Sequence, residues 1–408
     1  MTTVADTALA VEFPILEREG LVYLDSAATA QRPRVVVDAM DDLLLAHNAN
    51  VHRGTYPLAV EATDLYEGAR ERIAAFTGST ALETIFTKNA TESINLVAQS
   101  WGRANVGAGD AIVVTEMEHH SNIVPWQLLA QAVGAELRWL DVDDDGRLSL
   151  AQLDAHLADG RVRMVAFAHV SNVLGTINPV AEIVARAQAA GAATLIDGAQ
   201  AVPQVAVDVR ATGADFYAWT GHKAYGPTGV GVLHGRRALL DAMPPFLGGG
   251  SMIKIVQREA STYAEVPAKF EAGTPPVAEV VGLGAAIDLL AGIGMDRVRE
   301  HELDLTAYAL ERLGAIDGLT IHGPREARER GALVSFALAG VHPHDTSEIV
   351  GRDGVAIRAG HHCAQPLMRQ LGVGATSRAS FAIHNTREDV DRLVQSLRRV
   401  IEIFGATA

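Results

Sequence analysis

Short apolar runs at 83–86, 111–114, 164–168, 193–196, 216–219 and 230–233 each end in a polar or glycine-rich turn, with longer helical stretches between them. This rhythm constrains the chain more than any other feature. Alternating strands and helices of these lengths predict an α/β domain built on a mostly parallel sheet. Ligands of such sheets sit at the carboxyl ends of the strands, so the polar groups that follow each run are the first candidates for chemistry. After about Val277 the pattern changes to helical stretches at 280–293 and 295–313, then strand candidates at 333–337 and 355–358. That change predicts a second, smaller α+β domain, with a large domain over 23–290 and the smaller one assembled from 1–22 and 291–408. A chain of 408 residues exceeds the size at which one core stops growing, which also favours two domains.

Charge removes several function classes. Thirty-four basic residues against 49 acidic ones give a net charge of −15, which repels phosphate backbones and anionic lipid, so neither nucleic acid nor a membrane surface is expected as a partner. The segment Met1 to Pro14 carries Asp6 and Glu12, without a basic stretch or a long apolar run, and does not read as a signal peptide. Cys363 is the single cysteine, which precludes an internal disulfide and fits a reducing, cytoplasmic setting.

The chemistry concentrates in Asp197-Gly-Ala-Gln200 and Thr220-Gly-His-Lys223, each directly after a strand candidate. Pyridoxal phosphate needs a lysine amine to hold it and an acid to keep its ring nitrogen protonated, and an Asp and a Lys after neighbouring strands supply that pair. Taken singly, either residue reads more plainly as a turn aspartate or a surface lysine. Thr87-Lys-Asn-Ala-Thr91 follows another strand and opens a helical stretch at 94–101, a geometry suited to a phosphate or, more simply, to an ordinary N-cap. Cys363 follows His361 and His362, and Arg358 precedes it, so nearby positive groups favour its thiolate; a lone cysteine is otherwise a small buried hydrophobe.

Asp197-Gly-Ala-Gln200 with Thr220-Gly-His-Lys223-Ala-Tyr-Gly-Pro-Thr-Gly229 resembles the aminotransferase class V signature of fold-type I pyridoxal-phosphate enzymes. Tyr23-Leu-Asp-Ser-Ala-Ala28, Asn50-Val-His-Arg-Gly54, Glu116-Met-Glu-His-His-Ser-Asn122, His169-Val-Ser-Asn172 and Arg358-Ala-Gly-His-His-Cys363 are similar to SufS-type, group II cysteine desulfurases. The resemblance spans about Tyr23 to Asn385. It implies the fold-type I transferase fold, with Lys223 as the covalent anchor of pyridoxal 5'-phosphate, Asp197 on its pyridine nitrogen, Gln200 near its ring oxygen and His120 stacked on the ring. Thr91, Thr220 and His222 would cradle the phosphate. Arg378, in Ser377-Arg-Ala-Ser-Phe381, would clamp the substrate carboxylate with help from Asn172, and Arg358 would join the substrate site. Cys363 would be the nucleophile that takes sulfur from L-cysteine. The resemblance further implies a homodimer in which Arg53 and Thr274 reach the partner's site, and a sulfur acceptor of SufU or SufE type, in the service of iron-sulfur cluster assembly. Val341-His342-Pro-His344-Asp345 is similar to the form found in members that serve the SufU type. Tyr56 and Ala224 depart from residues common in the group. The same residues would also support selenocysteine lyase activity, and a same-fold aminotransferase would need no cysteine.

Three segments have plainer readings. His119-His120 makes a poor metal pair, because neighbours on an extended segment point to opposite faces, and no metal is expected. Asp141-Val-Asp143-Asp-Asp145-Gly146 begins like a calcium loop, but its twelfth position is Gln152, which lacks the bidentate carboxylate; a turn before a capped helix is expected. Gly282-Leu-Gly284 lacks the third glycine of a dinucleotide fingerprint and sits in a helical pattern, where it reads as helix packing.

Overall fold

The computed structural model describes residues 13–405. The signal-peptide reading of the first dozen residues, and their assignment to the smaller domain, lie outside that range.

A seven-stranded sheet organises the larger part. Its order from one edge is Thr84–Thr87, Gly231–Gly235, Phe216–Thr220, Ala193–Asp197, Val162–Ala168, Ala111–Thr115 and Glu136–Leu140. Gly231–Gly235 runs antiparallel to both its neighbours, and the remaining pairs are parallel. Successive residues alternate between two apolar layers: Ala111, Val113, Phe167, Ile196 and Trp219 enter one, Ile112, Val114, Ala166, Leu195 and Ala218 the other. Both faces are therefore covered, which is why these strands read as continuous apolar runs and not as alternating ones. The expected and observed strands differ by about a residue or two at their ends.

The helix Val277–Ile293 packs across Arg34–Ala46 and Pro57–Phe76. Gly282 and Gly284 make this possible, because a Cβ would lie 2.7 Å from Met40 at the first and 2.9 Å from Ala69 at the second. The glycine pair is thus a helix contact. Asp143 accepts from the backbone amides of Asp145 and Arg147, closing the acidic segment as a turn, and Ser149 caps the helix Leu150–Leu157. The helical stretch expected at 94–101 starts earlier, as Ala90–Val97 capped by Asn89, and widens into a π-turn over Ala98–Gly102.

A four-stranded antiparallel sheet, in the order Leu319–His322, Leu333–Leu338, Thr376–Ser380 and Arg358–Gly360, forms the second part with the helices Met295–Gly314, Pro343–Arg352 and Arg387–Phe404. The strand expected at 355–358 is two pieces. Val355–Ala356 pairs in parallel with Val22–Tyr23, and Arg358–Gly360 pairs with Thr376–Ser380. Packing also shifts the division anticipated near residue 290. Leu290 and Val298 belong to the core of the large sheet, and Leu305 is the first residue of its helix in the other core, so the change of partner falls along Met295–Gly314. At the other end Phe13 is buried with the large sheet, whereas Val22 and Leu24 belong to the small one.

Candidate active site

Lys223 closes a single helical turn, Gly221–Lys223, at the carboxyl end of Phe216–Thr220. Asp197 is the last residue of the adjacent strand and pairs in register with Ala218. Both strands end on the same edge of the sheet because they are parallel, which brings an amine and a carboxyl to one place. Burial lowers the Lys223 ammonium to about 8 even though Asp197 opposes the shift. Burial raises the Asp197 carboxyl, against the Ala199 amide that donates to it at 2.9 Å. Gly198 lets the chain turn here, because a Cβ would sit 2.0 Å from the Tyr217 ring.

A cavity of about 230 Å³ opens over this pair. Asp197, Gln200, Thr91, Thr220, His222, Lys223, Asn172, Arg358, Arg378 and Cys363 all line it, so one wall-to-wall site collects most of the residues that the sequence singled out. Gln200 is oriented by donating to the Ala27 carbonyl at 2.8 Å. Thr91 hydrogen-bonds Ser121 at 2.6 Å, and His222 lies 3.2 Å from the Thr29 hydroxyl. Burial drops the His222 imidazolium to about 4.

One end of the cavity suits an anion. The Thr220 hydroxyl is buried without a hydrogen-bond partner. Beside it, Asn89, Ala90 and Thr91 bring the amino end of Ala90–Val97 to the wall. This close approach depends on Gly231, where a Cβ would fall 2.4 Å from the Asn89 backbone. A buried unpaired donor facing helix amides is an arrangement that a phosphate completes.

The cavity wall also carries Arg378, whose side chain is only 2% exposed. It donates to the Asn172 carbonyl at 2.7 Å and to Asp25 at 3.3 Å, and its Nε has no partner. Asn172 in turn donates to the His362 carbonyl at 2.7 Å, tying the arginine to the segment that carries Cys363. His362 and Cys363 both adopt left-handed backbone conformations, with φ of 50° and 56°. Such consecutive non-glycine residues are uncommon and cost energy unless neighbours hold them.

One expected residue lies elsewhere. His120 does not line the cavity; His119 does. Burial and the Lys223 charge push the His119 imidazolium down to about 3, so its ring faces the site neutral, with Nδ1 bound to Ser121 at 2.9 Å. The correction follows from the extended backbone at His119, with φ −62° and ψ 146°, which turns successive side chains to opposite faces. Thr274, expected to serve a partner's site and not its own, lies on another concavity with Tyr66, Phe86 and Phe270.

Two further participants lie inside the motifs of the sequence but take no role from it. Asp25, within the Tyr23–Ala28 motif, reaches both Arg358 and Arg378. Glu118 is wholly buried between Thr115, Asn122 and the Ala168 amide, at 2.6, 2.6 and 2.9 Å, and burial raises its carboxyl to about 8. Its side chain pins the His119 segment to two strand ends. A charged residue inside an otherwise polar motif gives no sign of burial, which only the fold reveals.

A lysine and an aspartate at the carboxyl edge of a parallel sheet, sharing one cavity with a helix amino end and a buried arginine, define the class V aminotransferase arrangement. Residues 22–393 match Aminotransferase class-V, and the chain belongs to that family. Within it, the chain is 53% identical to a probable cysteine desulfurase of Streptomyces coelicolor, covering 98% of this chain and 97% of the relative. It is 49% identical to a cysteine desulfurase of Haloferax volcanii, with 98% and 97% covered. Among solved structures, the cysteine desulfurase CsdA of Escherichia coli, in its S-sulfonic acid form, superposes with a TM-score of 0.90 at 40% identity, over 97% of this chain and 98% of that one. The apo cysteine desulfurase of Thermococcus onnurineus gives 0.93 at 38% identity, over 96% and 97%.

Proposed function

We propose that this chain is a cysteine desulfurase that converts L-cysteine to L-alanine and stores the sulfur as a persulfide on Cys363. The observation that carries the reading is the presence of Cys363 on the wall of the cavity that also holds Lys223 and Arg378. Most of the class V scaffold would serve an aminotransferase equally well, but that reaction has no use for a thiol at this position.

The residues fit pyridoxal 5'-phosphate: Lys223 to anchor it, Asp197 for its ring nitrogen, Gln200 for its ring oxygen, and Thr91, Thr220 and His222 for its phosphate. When bound, the cofactor supplies an electron sink for the carbon next to the substrate amine. The protein does the rest. Arg378 is placed to hold the substrate carboxylate through its unpartnered edge, with Asn172 fixing the guanidinium plane. The amine of Lys223, eased toward its neutral form by burial, takes the α proton. His119, neutral and on the cavity wall, would take the role toward the cofactor ring that the sequence suggested for His120. The Cys363 thiolate then attacks the substrate sulfur: an S–S bond forms, the C–S bond breaks, and the β carbon gains a proton.

Arg53 and Thr274 fit a role across a homodimer interface. They lie away from the Lys223 cavity of their own chain, on concavities that share Glu271, Gly273 and Pro275. The exposed persulfide would pass to an acceptor of SufU or SufE type and support iron-sulfur cluster assembly. The test is the visible spectrum of the purified protein before and after L-cysteine, with alanine and sulfide assayed after reduction. Coupled formation of alanine and sulfide is expected. Cys363→Ala should keep the colour and lose multiple turnover; a variant that turns over normally would refute the role of the thiol.

A further inference from the structure

His120 does not line the cavity, yet its contacts converge on one short segment. Its backbone amide donates to the Cys363 carbonyl at 2.7 Å. Its ring Nε2 accepts from the Gln365 backbone amide at 3.1 Å. The two bonds grip the chain on either side of Ala364.

The second bond fills a specific need. Gln365 opens the helix Gln365–Gln370, so its amide is one of the first-turn donors that no intrahelical carbonyl can reach. Capping usually comes from the residue just before the helix, but that residue is Ala364, whose side chain makes no cap. The acceptor comes instead from His120, remote in sequence. Burial and the neighbouring His361 hold the His120 imidazolium below its ordinary value, which keeps Nε2 available as an acceptor.

We propose that His120 is a positioning residue for Cys363: its ring caps the Gln365 helix and, together with its own amide, clamps the left-handed turn that holds the thiol at the mouth of the Lys223 cavity. The consequence for sulfur transfer rests on the reading of Cys363 as the sulfur acceptor, whereas the clamp itself does not. It also gives the two neighbouring histidines separate duties, His119 toward the cavity and His120 toward the nucleophile's loop.

Cys363 is the only cysteine in the chain, so alkylation of the full-length holoenzyme by iodoacetamide reads this one thiol. His120→Ala removes the acceptor, and His120→Gln keeps one. The alanine variant is expected to react with iodoacetamide several-fold faster. It should also form alanine several-fold more slowly, with KM for cysteine and the bound-cofactor absorbance unchanged, and the glutamine variant should restore both rates. Equal alkylation rates in all three proteins, or no rescue by glutamine, would overturn the assignment. Should the alanine variant not fold, hydrogen exchange in the unmodified holoenzyme decides: the Gln365 amide is expected to be protected, and exchange at the free-peptide rate would sink the clamp. A wild-type protein that made no alanine would refute the desulfurase reading and leave the alkylation comparison intact.

Discussion

Arg358 and Arg378 stand directly opposite each other on adjacent antiparallel strands, and the Asp25 carboxylate reaches toward both, at 3.9 and 3.3 Å. Two like charges in register repel, and a shared anion offsets that repulsion. Asp25 balances one charge of the two, so the pair keeps a net positive balance at the end of the cavity. Burial lowers the Arg378 guanidinium to about 10, still far above neutrality, and leaves its Nε free. On the proposed function, a substrate carboxylate would supply the second anion.

Arg378→Lys keeps the charge and removes the planar fork. A lost hydrogen bond to a charged group costs about 1.5–3 kcal/mol, so KM for L-cysteine should rise about tenfold or more while the cofactor absorbance stays in place. Steady-state alanine formation measures it. An unchanged KM would show that the carboxylate is held elsewhere.

Lys223 should react as an unusually acidic amine. With its pKa lowered by burial to about 8, its neutral, nucleophilic fraction grows as pH rises through 8, well before an ordinary lysine responds. Trapping pyridoxal phosphate on the cofactor-free protein with borohydride, followed by peptide mapping, should give label at Lys223 that climbs across that range. Lys223→Ala should abolish this label. Trapping that rises only near the ordinary lysine value would contradict the buried environment.

Gly231→Ala tests the phosphate end without touching a polar group. The new Cβ would meet the Asn89 backbone at 2.4 Å, and backbone cannot swing aside as a side chain can. A stability loss of about 1–3 kcal/mol is expected from overpacking, with the Asn89–Thr91 wall displaced and cofactor affinity reduced. Chemical denaturation and cofactor titration would read the two effects, and normal affinity would argue against a phosphate there.

His234 gives the fold a pH dependence remote from the chemistry. It is buried beside Ser79, with 2.6 Å between Nδ1 and the hydroxyl, and burial lowers its imidazolium from 6.5 to about 4. The folded value is the depressed one, so this contribution is present above pH 6.5 and is lost as pH falls toward 4. In that window one such group adds a slope of about 1.4 kcal/mol per pH unit. His234→Gln should flatten urea-measured stability between pH 6.5 and 4 by about that amount, and an identical slope would mean that the ring is not held neutral.

Much of the larger part is legible in the amino-acid order alone. Apolar runs buried on both faces announce themselves, and the polar residue after each run lies at the sheet's chemical edge whatever the details of packing. Lys223, Asp197, Thr220 and Gln200 are placed by strand ends, so order along the chain suffices to find them. The smaller part is less legible. Its strands are short, and the segment at 355–360 divides between two pairings because Val22–Tyr23 returns from the distant amino end to take one of them.

Which of His119 and His120 faces the cavity does not follow from their order. An extended segment sends neighbours to opposite sides, and the side that is inward depends on how the chain lies against the strands, here set by Glu118 gripping Thr115, Asn122 and Ala168. The Asp25 link between two arginines likewise joins the first motif to one of the last, a relation with no local trace. Local pattern and strand direction suffice for the identity and the edge of the catalytic groups. Their facing, their burial and hence their protonation depend on segments hundreds of residues apart that meet only when both cores have packed.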